Sequence, residues 1–152
     1  MRLENRVPPP AIALITAAAM WAESFLPPAL ADGGLAQRLI AAVLSAAGLA
    51  VAALGVLKFR AHGTTIDPTH PERAATLVVS GVYRYTRNPM YVGFTLMLVA
   101  WAIQLGSAWA LGGPLVFVWY MVRFQIGPEE RALRTKFGSE FETYASRVGR
   151  WL

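Results

Sequence analysis

The stretch LIAAVLSAAGLAVAALGVL, residues Leu39–Leu57, decides the fold because it contains no charged side chain. A helix rises about 1.5 Å per residue, so an apolar run of this length reaches across a hydrocarbon core of about 30 Å. Working outward from it, the chain contains four apolar stretches: Pro8–Leu30, Leu35–Leu57, Pro89–Leu105 and Trp109–Ile126. The pattern predicts an all-α membrane protein with four transmembrane helices in a single domain, residues 1–152.

The basic residues predict how these helices are oriented. Cytoplasmic segments of membrane proteins retain Lys and Arg. With both termini placed in the cytoplasm, thirteen of the fourteen Lys and Arg residues lie inside and only Arg38 lies outside. We therefore expect a multi-pass protein of the cell inner (plasma) membrane, with its first span retained and both termini cytoplasmic.

Composition excludes several classes of function. Hydrophobic residues make up 55% of the chain and charged residues only 15%, whereas soluble domains carry about 25% charged residues. The basic residues flank the apolar stretches, so membrane lipids with anionic headgroups are the expected partners, and nucleic acid is not. Cysteine is absent, and His62 and His70 have poor metal-ligand spacing, so we expect no disulfide, no thiolate chemistry and no metal.

Local signals predict how the elements begin, end and pack. The small residues of the second span recur at helical spacing and predict close helix packing. A tight hairpin should join the last two spans, with a kink or delayed start near Gly113. The first span should be interrupted by Glu23 and closed by the proline pair. The residues behind these expectations are Ala41, Ser45, Gly48, Ala52 and Gly55 for the stripe, Pro27-Pro28 for the closure, and Gly106-Ser107-Ala108 for the hairpin link.

The cytoplasmic segments should be ordered. The long segment from Lys58 to Asn88 contains hydrophobic and tyrosine residues, which favour order over disorder. After the last span, Pro128 should begin a new helix. Gly138 should break it, and a capping box of Ser139 with Glu142 should restart it. We expect two short amphipathic helices on the cytoplasmic membrane surface.

Two polar segments are candidates for chemistry. Arg87-Asn88-Pro89 lies where a loop becomes a helix, and free N–H groups there suit a carboxylate or phosphate, although an interfacial belt would also explain the arginine. Glu129 and Glu130 follow Pro128 in a first helical turn, where acids usually complement the dipole and contribute about 0.3–1 kcal/mol. Beside anionic headgroups, however, they would be repelled unless they faced inward to a cationic or hydroxylated ligand.

Together these segments carry a recognisable pattern. The chain contains Gly81-x-Tyr83-Arg84-x-x-Arg87-Asn88-Pro89-x-Tyr91-x-Gly93, followed by Glu129-Glu130-x-x-Leu133-x-x-x-Phe137-Gly138-x-x-Phe141-x-x-Tyr144. This pair of motifs resembles the small multi-pass isoprenylcysteine carboxyl methyltransferases and the related phospholipid methyltransferases. The resemblance covers roughly residues 59–152.

The resemblance implies an enzyme that takes a methyl group from S-adenosylmethionine, leaves S-adenosylhomocysteine, and acts on a lipophilic or membrane-associated small acceptor at the cytoplasmic face. Arg87 and Glu130 are the expected catalytic residues. Acceptor contacts are assigned to Thr64, Tyr144 and Arg150. The residues that match the cofactor motifs are His62, Tyr83, Arg87, Asn88, Pro89, Tyr91, Gly93, Glu129 and Glu130.

One departure and two alternatives stay open. The isoprenylcysteine enzymes usually carry His where this chain has Asn88, which argues against a prenylated-protein acceptor. A nicotinamide-dependent membrane reductase on a related scaffold is a second hypothesis, and a non-catalytic membrane scaffold is a third. The acceptor, the general base, the oligomeric state and the role of Glu23 are left open by the sequence.

Overall fold

The computed structural model describes residues 7–28, 30, 33–62 and 76–152. All regular elements in these ranges are helices, as predicted. Short 3₁₀ turns lie at Gly81–Arg84 and Trp109–Leu111, and a π-helical segment lies at Val122–Ile126. The α-helices are α1 Pro9–Glu23, α2 Leu35–Ala61, α3 Pro89–Leu105, α4 Gly112–Met121, α5 Gly127–Phe137 and α6 Ser139–Arg147.

Among the described helices, one meets the requirements of length and apolar composition for a membrane span. At 27 residues, α2 is long and apolar enough to cross a bilayer, while α3 is apolar but has 17 residues. Leu14, Val43 and Leu115, on three different helices, are each more than two-thirds exposed. Large exposed apolar surfaces occur where a protein contacts a membrane or another protein. The full set of four spans stays a prediction.

Small residues bring α2 and α3 into close contact. Ala41, Gly48 and Ala52 are buried on α2, and a Cβ placed on Gly93 of α3 would lie 2.5 Å from the Gly48 carbonyl oxygen. The predicted packing role of the stripe is therefore confirmed, except that Ser45 is exposed. Without a bulky side chain at these positions the two backbones approach closely, which is how helices associate in lipid.

The core lies where α1, α3 and α4 meet. Phe117 and Met121 of α4 are fully buried beside Met20 of α1. The indole Nε1 of Trp101 donates to the carbonyl of Ala17 at 3.1 Å, so α1 is also tied to α3 by a hydrogen bond. The same core includes Tyr91 in the first turn of α3, so the N-terminal end of that helix is also packed against the bundle.

Two predicted helix ends differ from the structure. The prediction that the proline pair closes the first span is wrong, because α1 already ends at Glu23. The hydroxyl of Ser24 donates to the Trp21 carbonyl at 2.6 Å and satisfies a group that the ending helix leaves unpaired. In contrast, α2 runs one turn beyond the predicted span, through Lys58 and Arg60, because cations in a last turn complement the helix dipole.

The predicted helix start at Pro128 agrees with the structure to within one residue, because α5 begins at Gly127 and Pro128 lies in its first turn. The sequence did not indicate that α5 continues directly from the preceding helical segment. The chain is helical without a break from Gly112 to Phe137. A proline inside an α-helix lacks an N–H and collides with the carbonyl four residues earlier. The π-helical segment removes this conflict, since the Gly127 N–H bonds instead to Val122, five residues back. The delayed start near Gly113 is confirmed, because a 3₁₀ turn precedes α4.

The predicted break at Gly138 separates the two tail helices, but the predicted capping box is not formed. Gly138 adopts a φ of +51° between α5 and α6, which confirms the break. The capping box is wrong: Gly138 itself caps α6, and no side chain bonds to the first turn. Glu142 instead accepts a hydrogen bond from Arg134 of α5, so an ion pair joins the two helices where the box was expected.

Candidate active site

The two polar segments meet at one end of the bundle. Arg87 precedes α3, Glu130 lies in the first turn of α5, and the Arg87 Nη2 atom is 3.1 Å from Glu130 Oε1. Both side chains are largely buried, with exposed fractions of 14% and 10%. The contact joins residues that are far apart in sequence, so the fold, and not local structure, creates it.

Glu130 is the centre of this arrangement. A second arginine, Arg150, binds it in bidentate fashion, with Nε 2.9 Å from Oε1 and Nη2 2.7 Å from Oε2. Each carboxylate oxygen of Glu130 thus faces an arginine. This is more than the dipole complement that is usual for a first-turn acid, since paired N–H donors on a carboxylate are strong and orienting.

The segment Gly149–Trp151, which we call the tail strap, closes over the Arg87 turn. The Arg87 backbone N–H donates to the Gly149 carbonyl at 3.0 Å, and the Asn88 amide Nδ2 donates to the Arg150 carbonyl at 2.9 Å. The Asn88 backbone N–H is bonded to the Thr86 hydroxyl at 3.1 Å. The expectation of free N–H groups at Arg87 and Asn88 is therefore wrong, because the chain's own groups satisfy both.

Glu129 lies in a different environment from its neighbour. The hydroxyl of Tyr91, a residue only 5% exposed, donates to Glu129 Oε1 at 2.5 Å. Burial raises the pKa of the Glu129 carboxyl to about 7, the Tyr91 hydrogen bond acts in the opposite direction, and the charge of Glu130 raises it further. Of two adjacent carboxyls, one is thus fixed in an ion-pair cluster and the other can change protonation near neutral pH.

Tyr83 completes the buried polar region. Its ring lies 5.2 Å from that of Phe59 on α2, and its backbone carbonyl accepts a hydrogen bond from the Tyr144 hydroxyl at 2.7 Å. Its own hydroxyl is buried and has no hydrogen-bond partner among the residues that the structure describes. Burial raises the pKa of this phenol, and the charges of Tyr144 and Glu129 raise it further.

The structure brings most of the predicted site residues together and separates others. His62 stays exposed at the end of α2, with Nδ1 2.8 Å from the Lys58 carbonyl oxygen. Gly93 faces α2 as a packing residue, and Thr64 lies outside the described residues. The residues that lie in or beside the polar region are Tyr83, Arg87, Asn88, Pro89, Tyr91, Glu129, Glu130, Tyr144 and Arg150.

Sequence reasoning missed the contribution of backbone and of short polar residues. The Thr86 hydroxyl donates to the Arg150 carbonyl at 3.1 Å while accepting from Asn88, so it joins the turn to the tail strap. Trp151 packs against the hydrophobic core. A Ser or Thr whose hydroxyl bonds to the backbone N–H two residues further along is a recognised turn signal. A single aromatic residue near the end of the tail gave a weaker one.

Comparisons with known proteins identify the family of the chain. A family model described as phospholipid methyltransferase matches residues 36–140, which include α2, α3 and both polar segments. No solved structure gives a significant match. The curated relatives include an uncharacterized protein of Haemophilus influenzae, 41% identical over 63 residues, which are 41% of this chain and 100% of that protein.

The names of two other relatives state an activity. A probable protein-S-isoprenylcysteine O-methyltransferase of Oryza sativa subsp. indica is 33% identical over 85 residues, 56% of this chain and 44% of that protein. The protein-S-isoprenylcysteine O-methyltransferase of Rattus norvegicus is 33% identical over 117 residues, 69% of this chain and 39% of that protein. The chain thus spans less than half the length of these two relatives. Because the family model matches more than half of the chain and includes both polar segments, the protein belongs to the phospholipid methyltransferase family.

Proposed function

We propose that the protein transfers a methyl group from S-adenosylmethionine to a lipophilic or membrane-associated small acceptor at the cytoplasmic face of the membrane. The observation that carries the proposal is the convergence of its two motifs. Arg87 contacts Glu130, and Tyr91 contacts Glu129, so the loop before α3 and the first turn of α5 form one polar region. Family membership supports the reaction class, and the apolar surface of the helices supports a lipophilic acceptor.

The residues present fit the polar groups of such a donor, which are a carboxylate, an ammonium, ribose hydroxyls and a sulfonium. Arg87 Nε and the Tyr83 hydroxyl are buried without a hydrogen-bond partner in the described ranges. Buried polar groups are nearly always bonded, so two unused donors in this part of the structure favour a ligand there. Glu129 adds an acceptor. We therefore assign donor binding to the region of Tyr83, Arg87, Asn88, Tyr91 and Glu129.

The donor supplies an activated methyl group, and the residues of the chain supply alignment and protection from water. Arg87 offers a planar fork for an anionic group, and Glu130 holds that fork in one orientation through the contact at 3.1 Å. In this proposal Glu130 and Arg150 are positioning residues, and Arg87 is the residue that touches the ligand. The tail strap covers the turn and limits access of water from that side.

The membrane arrangement is part of the proposal. Four helices with cytoplasmic termini would place the polar region at the inner leaflet, where a lipid acceptor enters sideways and a soluble donor enters from the cytosol. Reporter fusions after Gly34 and after Leu152 test this arrangement. We expect the two reporters on opposite sides of the membrane. Reporters on the same side would contradict the topology, and with it a cytoplasmic site.

Calorimetric titration of the purified protein with S-adenosylmethionine and S-adenosylhomocysteine tests the donor directly. We expect saturable binding of both to the wild-type protein and to Arg84→Ala, an exposed control on the same loop. Arg87→Ala should weaken binding about tenfold or more, because charge-assisted hydrogen bonds contribute about 1.5–3 kcal/mol. Absence of binding to the wild-type protein would overturn the proposal. Binding of a nicotinamide cofactor in its place would favour the reductase.

A further inference from the structure

A cleft lies between α2 and α3 at the end of the bundle opposite the candidate active site. Its volume is about 310 Å³, near the lower limit of about 300–1,000 Å³ for ligand pockets. The helical rise places Gln104, at this end of α3, roughly 22 Å from Pro89 at the other end. We propose that the cleft binds one anionic phospholipid, with the phosphate on Arg38 and the upper part of an acyl chain between the helices. This site is separate from the donor region and goes beyond the proposed function.

Each wall of the cleft is one side of a single helix. The lining residues of α2 run from Arg38 to Ser45, and those of α3 run from Met97 to Gln104. In both helices they recur at the spacing i, i+3, i+4 and i+7, which places them along one face. Arg38, Ser45 and Gln104 are exposed, so the cleft opens to the outside of the bundle along its length.

Hydrogen bonds hold both walls in place. The Gln37 amide Nε2 donates to the Ile103 carbonyl at 2.5 Å, which joins the ends of α2 and α3 next to the rim of the cleft. The Trp101 side chain forms part of the α3 wall, and its Nε1 donates to the Ala17 carbonyl of α1 at 3.1 Å. Because these groups are already bonded, a ligand need not order them when it binds, which favours binding.

The polar groups at the rim suit a phosphate. Arg38 forms no ion pair within the ranges that the structure describes, and its guanidinium can bind phosphate through paired N–H groups. It lies near the N-terminus of α2, where the helix dipole also attracts anions and opposes cations. Gln104 adds an amide donor. The described lining residues include no acid that could pair with the ammonium of a zwitterionic lipid, so charge complementarity favours an anionic headgroup.

The interior of the cleft distinguishes a phospholipid from free phosphate. Ala41 and Ala100, which are buried, line it together with the half-buried Met97. Free phosphate would contact only the rim and leave this apolar surface uncovered. The first methylene groups of an acyl chain would cover it, and burial of apolar surface is favourable. In the proposed membrane arrangement this end of the bundle lies at the outer leaflet, where a phospholipid offers both parts.

Native mass spectrometry of the full chain, purified in detergent, tests the site. The probes are phosphatidylglycerol, phosphatidylcholine, the diacylglycerol with the same acyl chains, and inorganic phosphate. We expect the wild-type protein to bind one phosphatidylglycerol that variants of the cleft lose. Phosphatidylcholine should bind there about threefold more weakly, as expected for the loss of a favourable exposed charge. Diacylglycerol and inorganic phosphate should neither occupy the cleft nor displace phosphatidylglycerol.

Two pairs of variants locate the bound lipid. Arg38→Gln should weaken binding about fivefold to tenfold, because a charge-assisted hydrogen bond is lost, whereas Arg60→Gln, exposed at the other end of α2, should not. Ser45→Phe should abolish binding by filling the cleft, and Ala47→Phe, exposed on the other side of α2, is its matched control. All four variants should bind S-adenosylmethionine with the wild-type Kd, because the donor region lies at the opposite end of the bundle.

Two further measurements report on the site without relying on stoichiometry. Phosphatidylglycerol with a photoreactive diazirine near the head of its acyl chain should label the peptide that contains Met97, and Ser45→Phe should remove this label. Phosphatidylglycerol should also raise the thermal midpoint of the wild-type protein, because a ligand that binds only the folded chain stabilises it. The same lipid should raise the midpoint of Ala47→Phe but not that of Ser45→Phe.

Several results would overturn the proposal. Equal binding of diacylglycerol would exclude recognition of the headgroup, and displacement of the lipid by inorganic phosphate would leave an anion site without acyl contacts. A dimer that Ser45→Phe disrupts would make a second copy of the chain the occupant. Should Ser45→Phe fail to fold, equal affinity of Arg38→Gln and wild-type protein overturns the site by itself. Each of these results leaves S-adenosylmethionine binding intact, so this proposal and the proposed function can fail independently.

Discussion

Removal of the Glu130 side chain should destabilise the protein far more than its place in a first helical turn suggests. In Glu130→Ala the Arg87 guanidinium, whose side chain is only 14% exposed, would lose its carboxylate partner while staying largely buried. An arginine cannot neutralise itself by losing its proton, so the unpaired charge persists. If Glu130 only complemented the helix dipole, its removal would lower the free energy of unfolding by only about 0.3–1 kcal/mol.

The buried ion pair of Arg87 with Glu130 predicts a larger loss of unfolding free energy. Removal of one member of a buried ion pair costs about 3–5 kcal/mol. Arg150 is 45% exposed and can be rehydrated, so its lost contact adds only about 0.2–1 kcal/mol. Arg87 keeps a hydrogen bond to the Ala145 carbonyl at 3.3 Å. We therefore expect Glu130→Ala to lower the free energy of unfolding by about 3 kcal/mol, the lower limit of the range for buried ion pairs.

Equilibrium unfolding in detergent micelles, followed by circular dichroism, measures the free energy of unfolding without reference to activity. Glu142→Ala is the matched control, since it removes the carboxylate of the ion pair between Arg134 and Glu142. The two side chains of that pair are 50% and 53% exposed. This control should cost about 0.2–1 kcal/mol. Equal losses in the two variants would refute the reasoning and return Glu130 to the role of a dipole complement.

Three further outcomes are expected. Gly93→Ala should lower the thermal midpoint, because its Cβ would lie 2.5 Å from the α2 backbone, whereas Gly112→Ala, with open space around it, should not. Arg87→Lys should fold normally but lose most methyl transfer, because Lys lacks the bidentate fork; equal activity in Arg84→Lys and Arg87→Lys would contradict a ligand clamp. Since the folded pKa of Glu129 is about 7 and its ordinary value 4.5, the unfolded chain loses this proton first as pH rises. The thermal midpoint of the wild-type protein should therefore decline as the pH rises from about 4.5 to 7. The thermal midpoint of Glu129→Gln should not show this decline.

The presence of the helices could be predicted from local sequence patterns, and α3 shows why. Its predicted limits agree with the structure because Pro89 suits the first helical turn and Gly106, with a φ of +60°, ends the helix. Both signals act within a few residues. The direct junction of α4 with α5 was not predicted, for the opposite reason. Pro128 is accommodated by five π-helical residues before it, and no residue type marks such a segment.

The sequence did not indicate which of the predicted site residues contact one another. The motifs indicated that Arg87 and Glu130 belong to one region, yet each was expected to face a ligand, and in the structure they bind each other. That pairing depends on where α5 lies relative to α3, which is a property of the whole bundle. Gly93 was expected beside the cofactor and instead meets Gly48. The small-residue stripe of α2 was the signal that could have found this partner.

The tail strap determines the order in which the molecule can be completed during synthesis. Asn88 is bonded to a residue 62 positions further along the chain. At about 5–20 residues per second, a ribosome needs roughly 3–12 s to travel that distance. During this interval α3, α4, α5 and α6 are made in turn, and the Arg87 turn lacks its cover until the tail strap is made. The contacts among α1, α2, α3 and α4 can therefore form before the polar region, which is complete only after Arg150 has been synthesised.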